Sequence, residues 1–128
     1  MDEKQRIVAA LYAATGQGDW AAAEAHLTHD FFITEAEGLP FSGVYRGRGA
    51  LRKLYTKVLP MLRVEALDLI ETTTGAEHAV TLVDFVLPGG ARARIAEVFR
   101  FQGDLVCEIR PYYFDPAPVW AAARANGY

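Results

Sequence analysis

Two short turn signals divide the second half of the chain into runs of strand length, and this spacing limits the fold more than any other feature. Pro88-Gly89-Gly90 and Gly103-Asp104 are residue types that tight turns between antiparallel strands favour. The runs around them are rich in β-branched and aromatic residues. The pattern predicts strands over residues 63–72, 77–87, 92–102 and 105–114.

The first half of the chain has the periodicity of helices instead. Apolar residues recur every three or four positions between Ile7 and Thr15. Asp2 is a suitable N-cap for this helix and Asp19 for an alanine-rich second one, while Pro60 ends or kinks a third. The predicted helices reach to about residue 15 and cover 20–27 and 50–59, with short strands over 31–34 and near 44–45 and a helical turn over 119–125. Helices followed by an antiparallel meander indicate an α+β fold with the helices on one face of the sheet.

Length, charge and cysteine content exclude several classes of protein. The chain has 128 residues, a net charge of −3 and one cysteine, so residues 1–128 are expected to form a single domain. An acidic balance argues against a nucleic-acid partner. Cys107 alone cannot form a disulfide within the chain, which suits a reducing cytoplasm. No apolar run is long enough to predict a membrane span, so we expect no membrane partner.

Alternation along the last two predicted strands indicates which side chains face the helices. The more apolar faces carry Ile95, Glu97, Phe99 and Phe101 on one strand and Leu105, Cys107, Ile109, Pro111 and Tyr113 on the next. We assign both faces to the interior. This assignment puts the Glu97 carboxyl in apolar surroundings, where desolvation raises its pKa. A neutral carboxyl of this kind can donate a hydrogen bond and stabilise a developing oxyanion.

Four stretches of the chain, in this order, resemble the nuclear transport factor 2-like superfamily, and within it the SnoaL-like and ketosteroid isomerase-like domains. They are Gly18-Asp19-Trp20, Leu27-Thr28-His29-Asp30-Phe31, Gly43-Val44-Tyr45-Arg46-Gly47 and Glu97-Val98-Phe99-Arg100-Phe101-Gln102-Gly103-Asp104. The resemblance implies a cone-shaped curved antiparallel sheet wrapped around three N-terminal helices, a cystatin-like α+β roll with an apolar pocket. It also implies a homodimer through the convex sheet face, where outward arginines would pair with Glu108 of a second copy.

The resemblance to ketosteroid isomerase-like proteins implies roles for three residues of this chain. Their catalytic base corresponds to Glu35, and their oxyanion-hole acid corresponds to Glu97. Tyr55 matches the helix-three tyrosine that supports their oxyanion hole. Their oxyanion-hole tyrosine falls on Leu11, whereas Tyr12 is one residue away and is expected to point elsewhere on the helix.

Further residues are candidates for contacting a ligand in the pocket. The full set is Tyr12, Tyr55, Asp84, Phe99, Ile109 and Tyr113. The tyrosines combine an aromatic ring with a polar tip, although a core tyrosine with a satisfied hydroxyl is the commoner case. Both faces of the strand that carries Asp84 are apolar, which leaves the direction of its side chain open. His26 and His29 have no third ligand at a suitable spacing, so we predict no metal site.

These features favour cofactor-independent acid–base chemistry on a small apolar carbonyl compound. Glu35 lies where the first strand runs into a glycine-rich loop, at an expected pocket mouth, and would be the base that moves a proton near the carbonyl. Glu97 would stabilise the oxyanion during an isomerisation or an aldol-type cyclisation. The alternatives are a non-catalytic small-molecule-binding protein and a dimeric scaffold whose cone is filled by its own aromatic side chains.

Overall fold

The computed structural model describes all residues 1–128 and contains four α-helices and one six-stranded sheet. The elements are α1 (Glu3–Gln17), α2 (Trp20–Glu24), β1 (Leu27–Glu35), β2 (Gly43–Arg46), α3 (Ala50–Leu62), β3 (Ala66–Thr74), β4 (His78–Val86), β5 (Arg92–Gln102), β6 (Leu105–Tyr113) and α4 (Ala117–Ala125). The strand order is β2-β1-β6-β5-β4-β3. All neighbouring strands are antiparallel except β1 and β6, which are parallel. The α+β architecture with a curved sheet confirms the predicted fold class.

Helix α1 forms as the sequence predicts because both of its ends carry strong signals. The Asp2 carboxylate accepts a hydrogen bond from the Gln5 backbone N–H at 2.9 Å, and the Gln5 side chain accepts one from the Asp2 N–H. This reciprocal capping box satisfies donors that the first turn leaves free. Gly18 ends the helix in the left-handed conformation at φ 70°. The Gln5 side chain also donates to the Thr72 carbonyl at 2.9 Å, which ties α1 to β3.

Helix α3 continues three residues beyond its predicted end. Pro60 lies inside the helix and is exposed, so its ring points away from the core. Met61 and Leu62 follow it and are buried, and their burial offsets the hydrogen bond that the proline removes. Arg63 then ends the helix in the left-handed conformation at φ 51°.

Strand β1 is longer than predicted, and α2 is correspondingly shorter. Leu27, which the alanine-rich pattern placed in the second helix, is 1% exposed and pairs with Val106 of β6. The partner strand lies far away in sequence, so local periodicity carries no signal for this pairing. β1 therefore runs beside β6 through the middle of the sheet and delivers its last residue, Glu35, to the interior.

A β-bulge at the start of β6 changes which of its side chains join the core, compared with the predicted alternation. Arg100 pairs with Glu108 and Phe101 with Val106, so Cys107 is the extra residue. Val106 consequently joins the core and is fully buried. The Cys107 thiol lies outside that core and donates to the Arg100 carbonyl at 3.4 Å. Cys107 is buried at 6% exposed, as expected, but because of the bulge Val106 and not Cys107 joins the core cluster that contains Ile109.

Helix α4 and the loop between β1 and β2 close one end of the sheet. The Trp120 indole N–H donates to the Gly38 carbonyl at 2.7 Å. Phe41 in the same loop is buried, and Val119 of α4 is fully buried. These contacts cover the end of β1, so the interior opens elsewhere.

Candidate active site

A cavity of about 220 Å³ lies between the concave face of the sheet and helices α1 and α3. Most of its lining side chains are hydrophobic, so the space suits a largely apolar ligand. Its exposed lining residues come from the end of α1, the end of α3 and the start of β3: Gly16, Leu59, Glu65 and Ala66. This rim is therefore the route by which a ligand reaches the interior.

Glu97 lies in the middle of β5 and points into the cavity. It pairs with Thr81 on one side and Pro111 on the other, which fixes it near the centre of the sheet. The Tyr12 hydroxyl donates a hydrogen bond to Glu97 Oε1. The Tyr12 ring also packs edge-on against Phe99, with ring centroids 5.8 Å apart.

The contact between α1 and Glu97 corrects the expectation that Tyr12 would point elsewhere on its helix. Leu11 and Tyr12 both line the cavity. An amphipathic helix buries a stripe at least 100° wide, which is wide enough for two adjacent positions to reach the sheet. Leu11 lies deeper in that stripe at 3% exposed, and Tyr12 at its margin carries the hydroxyl that meets Glu97.

Glu35 is buried inside the molecule and does not lie at a pocket mouth. It is the last residue of β1, is only 6% exposed, and lines the cavity. Its Oε1 atom is buried and has no hydrogen-bond partner in the protein. The expected mouth is closed by the loop that carries Phe41 and Gly38, which α4 holds in place.

The strand register explains why the two acids face the same space. Ile33 pairs with Ile109, and Ile109 pairs with Phe99, which gives one row across β1, β6 and β5. Glu35 and Glu97 each lie two residues from this row, in the same direction. They therefore share the concave face two strands apart, roughly 10 Å between backbones. Two glutamate side chains can converge over that distance on a single ligand.

Burial without positive partners raises the pKa of both acids. Burial raises the pKa of Glu35 to about 9, and the nearby charge of Glu97 contributes to the shift. Burial also raises the pKa of Glu97, while the hydrogen bond from Tyr12 opposes this effect. No lysine, arginine or histidine lines the cavity. A group of this kind can act as a hydrogen-bond donor or, once ionised, as a strong base.

Two further tyrosines supply hydroxyl groups to the cavity wall. Burial raises the pKa of Tyr55 to about 12, and its ring packs edge-on against Trp20 at 5.5 Å. Burial and then the charges of Glu35 and Glu97 raise the pKa of Tyr113. Both hydroxyls therefore stay protonated and can donate to a ligand.

The remaining candidate contacts divide into two groups. Phe99 and Ile109 line the cavity. Asp84 does not line it: its carboxylate lies on the opposite face of the sheet, 3.4 Å from the Arg92 guanidinium. Its neighbour Phe85 takes the inward position, because successive side chains of a strand point to opposite faces. Asp84 is thus a structural ion-pair residue, which corrects its inclusion among the ligand contacts.

Some lining residues were not among the sequence candidates. Phe41, Phe85 and Glu65 all line the cavity. Phe41 could have been suspected as a large aromatic residue in a glycine-rich loop, and Phe85 from the alternation with Asp84. Glu65 follows the left-handed residue Arg63 in a connection without periodicity, and no sequence signal indicates its place at the rim.

Groups that would indicate a metal ion or a membrane are not found. No three side chains of His, Cys, Asp or Glu cluster closely enough to hold a metal. No helix has both the length and the apolar character needed to cross a bilayer.

Comparison with solved structures shows the fold. An NTF2-like protein of unknown function from Burkholderia pseudomallei K96243 is 19% identical, with a TM-score of 0.81 over 96% of this chain and 98% of the other. TerC, co-crystallised with polyporic acid, is 13% identical, with a TM-score of 0.84 over 96% and 99%. A protein of unknown function with a cystatin-like fold from Methylobium petroleophilum PM1 is 17% identical, with a TM-score of 0.75 over 89% and 77%.

Comparison with protein families assigns the chain. No curated protein sequence matches it. The model of the SnoaL-like domain matches residues 8–109, which is most of the chain and includes most of α1, all of α3 and nearly all of the sheet. The chain therefore belongs to the SnoaL-like domain family, and its fold is similar to that of the NTF2-like structures.

Proposed function

We propose that the protein moves a proton on a small, largely apolar carbonyl compound bound in its cavity. The observation that carries this proposal is the pair of carboxyl groups, buried Glu35 and partly buried Glu97, that face one apolar space without a cation. Membership of the SnoaL-like family by itself supports a less specific role, the binding of a small molecule.

Glu35 is suited to be the base. Its Oε1 atom has no partner in the protein, so it is free to meet a C–H bond of the ligand. With a pKa of about 9, its carboxylate is a stronger base than an exposed glutamate. It would remove a proton from the carbon next to the carbonyl, and the electron pair would move to the carbonyl oxygen as an enolate.

Glu97 is suited to hold that oxygen. Its Oε1 atom accepts the hydrogen bond from Tyr12, which leaves the second oxygen to carry a proton toward the ligand. A protonated carboxyl in an apolar site stabilises a developing negative charge without reorganisation of water. The proton held by Glu35 can then return to a different carbon, which is an isomerisation. Alternatively, the enolate carbon attacks a second carbonyl group of the ligand in an aldol-type cyclisation, and the alkoxide that forms takes the proton held by Glu35.

A non-catalytic ligand-binding role is the second candidate. The apolar lining and the size of the cavity favour it equally, and TerC, which has a similar fold, was crystallised with polyporic acid. The filled-cone scaffold fits less well, because Phe99 and Tyr113 line the open space instead of occupying it.

Binding of phenols as enolate mimics tests the catalytic proposal. We expect Glu97→Gln to weaken binding by about tenfold, because a carboxylic acid is a stronger donor than an amide. Binding to the unmodified protein should fall above pH 9, where ionised Glu35 repels a phenolate. Glu35→Gln should remove this fall, whereas Glu37→Gln, an exposed acid in the adjacent loop, should not. If neither Glu35→Gln nor Glu97→Gln alters the affinity or its pH profile, the proposed chemistry is wrong.

We also propose that two copies pair through the convex face of the sheet. Leu82, Ala96 and Tyr112 form a row across β4, β5 and β6, and Leu82 and Tyr112 are about half exposed. The pairing of Glu108 with a second copy needs revision, since Glu108 already accepts hydrogen bonds from Arg100 and Arg110 of its own chain. Sedimentation should give twice the chain mass, and Leu82→Lys should give the monomer. A monomer before substitution would contradict the pairing.

A further inference from the structure

The cavity has an unusual aromatic wall. Six rings line it, from two helices, three strands and one loop: Tyr12, Phe41, Tyr55, Phe85, Phe99 and Tyr113. Aromatic rings attract cations through the negative potential of their faces. Elsewhere in the molecule four rings already have such a partner: Phe101 with Lys4 at 5.8 Å, Phe32 with Arg46 at 5.6 Å, Tyr45 with Lys57 at 5.4 Å and Trp120 with Arg124 at 5.2 Å. None of these four rings lines the cavity, and none of the six cavity rings has a protein cation over it.

The charges that side chains of the cavity can carry are all negative. Its ionisable carboxyl groups are Glu35 and Glu97 inside and Glu65 at the rim, and no basic side chain lines it. The basic side chains of α3 nearest in sequence to Tyr55, Arg52 and Lys53, are exposed and lie outside the lining. A cation that enters therefore meets an acid at the rim, aromatic walls, and an acid at the interior end.

The arrangement points to a ligand class: we infer that the cavity binds an apolar organic cation, meaning a protonated amine or a quaternary ammonium group on a small hydrocarbon or aromatic body. Glu35 is the counter-ion, since its Oε1 atom is fully buried and has no hydrogen-bond partner in the protein. Glu97 is less available because Tyr12 already donates to it. This inference concerns equilibrium binding, so it does not depend on whether the protein catalyses proton transfer.

Binding of a permanent cation requires ionised Glu35, so it must release a proton at neutral pH. The titratable groups that face Glu35 are Tyr12 from α1, Tyr55 from α3, Glu97 from β5 and Tyr113 from β6. The three phenols stay neutral in this range because burial raises the pKa of each. The affinity for such a cation should therefore rise with pH, by up to about tenfold per unit, and level off near pH 9. Phenolates should show the opposite trend, so the two ligand classes are distinguishable by pH alone.

Isothermal titration with matched single-ring ligands tests this inference. Benzylamine, which is protonated at pH 8, and benzyl alcohol have nearly the same shape, and we expect the amine to bind at least about tenfold more tightly. Glu35→Gln should reduce this preference to less than about threefold, and Glu37→Gln should leave it unchanged. Benzyltrimethylammonium, which cannot lose its charge, serves for the pH series. Titrations in two buffers of different ionisation enthalpy then report directly whether one proton leaves the complex.

The outcomes separate this inference from the proposed catalysis. A preference for the amine with proton release supports the cation site, whatever the result with phenols. Equal binding of amine and alcohol, binding without proton release, or a preference that survives Glu35→Gln would each overturn it. The proton-release measurement uses the unsubstituted protein, so it decides the question even where a variant folds poorly.

Discussion

Glu35 and Glu108 are the same residue type at nearly the same burial, yet their environments act on them in opposite directions. Glu35 is 6% exposed and Glu108 is 8% exposed. Burial pushes the pKa of Glu108 upward, but hydrogen bonds from Arg100 at 3.0 Å and Arg110 at 2.7 Å outweigh burial and leave that pKa lowered. Glu35 has no such donor, and its pKa rises to about 9. The charged partner, and not burial alone, decides the protonation state.

The two faces of the sheet differ in the same way, since the acids of one face have charged partners and those of the other do not. On the convex face, Asp84 pairs with Arg92 as Glu108 pairs with its arginines. On the concave face the acids share a cavity lined mostly by aromatic and aliphatic side chains, without a basic residue, and the Tyr12 hydroxyl donates to Glu97. A buried acid without a charged partner lowers the stability of the fold. The presence of Glu35 inside the cavity therefore indicates a functional role and not a structural one.

The largest expected effect is that substitution of Glu35 reduces activity, whereas substitution of Glu108 reduces stability. Glu35→Gln should reduce proton exchange at the carbon next to the carbonyl of a bound cyclic enone by about 10²- to 10⁴-fold, because the base is lost. Its free energy of unfolding should change by less than about 1 kcal/mol at pH 4, where the Glu35 carboxyl is neutral in the folded state and mostly neutral in the unfolded state, and should rise at pH 7, where only the unfolded carboxyl is ionised. Glu108→Gln should retain exchange but lose about 1–3 kcal/mol of stability.

Exchange followed by NMR in D₂O and urea unfolding measure these two quantities on the same protein samples. A Glu35→Gln variant that unfolds easily but still exchanges protons would reverse the roles assigned to the two residues. Glu37→Gln, which removes an exposed acid two residues away, provides the control for a change in net charge.

The next effect is the dependence of stability on pH. Glu35 has a folded-state pKa of about 9, above the unfolded value near 4.5. The stability that its proton confers is therefore complete below pH 4.5 and is lost as the pH rises toward 9, by at most about 1.4 kcal/mol per unit. The pKa of Glu108 is lowered, so its stabilisation is present above its unfolded pKa and disappears as the pH falls through its folded value.

Unfolding by urea between pH 3 and pH 9 checks both signs in one series. Glu35→Gln should flatten the decline on the alkaline side, and Glu108→Gln should flatten the decline on the acid side. If the two variants changed the same side of the profile, the opposite pKa shifts that distinguish the two faces would be wrong.

Local sequence signals were sufficient for some of these features and insufficient for others. The capping residues of α1, the turns around β5 and the inward position of Glu97 follow from spacing and alternation, which are properties of adjacent residues. The bulge at Cys107 and the pairing of β1 with β6 depend on a distant strand, so the sequence does not show them. The inward turn of Tyr12 depends on how α1 is rotated against the sheet, which is also a tertiary property.

The smallest expected effect concerns Glu97. Its hydrogen-bond donor is a neutral hydroxyl, whereas Glu35 has no donor and Glu108 has two charged ones. Tyr12→Phe removes that donor and should raise the pKa of Glu97 further, since the hydrogen bond opposes the effect of burial. Phenol binding should weaken by about fivefold and stability should fall by about 1 kcal/mol.

Removal of an arginine from Glu108, by Arg110→Met, should shift the pKa of that carboxyl more, because a charged donor stabilises a carboxylate more than a neutral one. Carbon-13 NMR of the glutamate carboxyl groups measures both shifts. A larger shift in Tyr12→Phe than in Arg110→Met would mean that the depth of the cavity, and not the charge of the partner, controls the difference between the two faces.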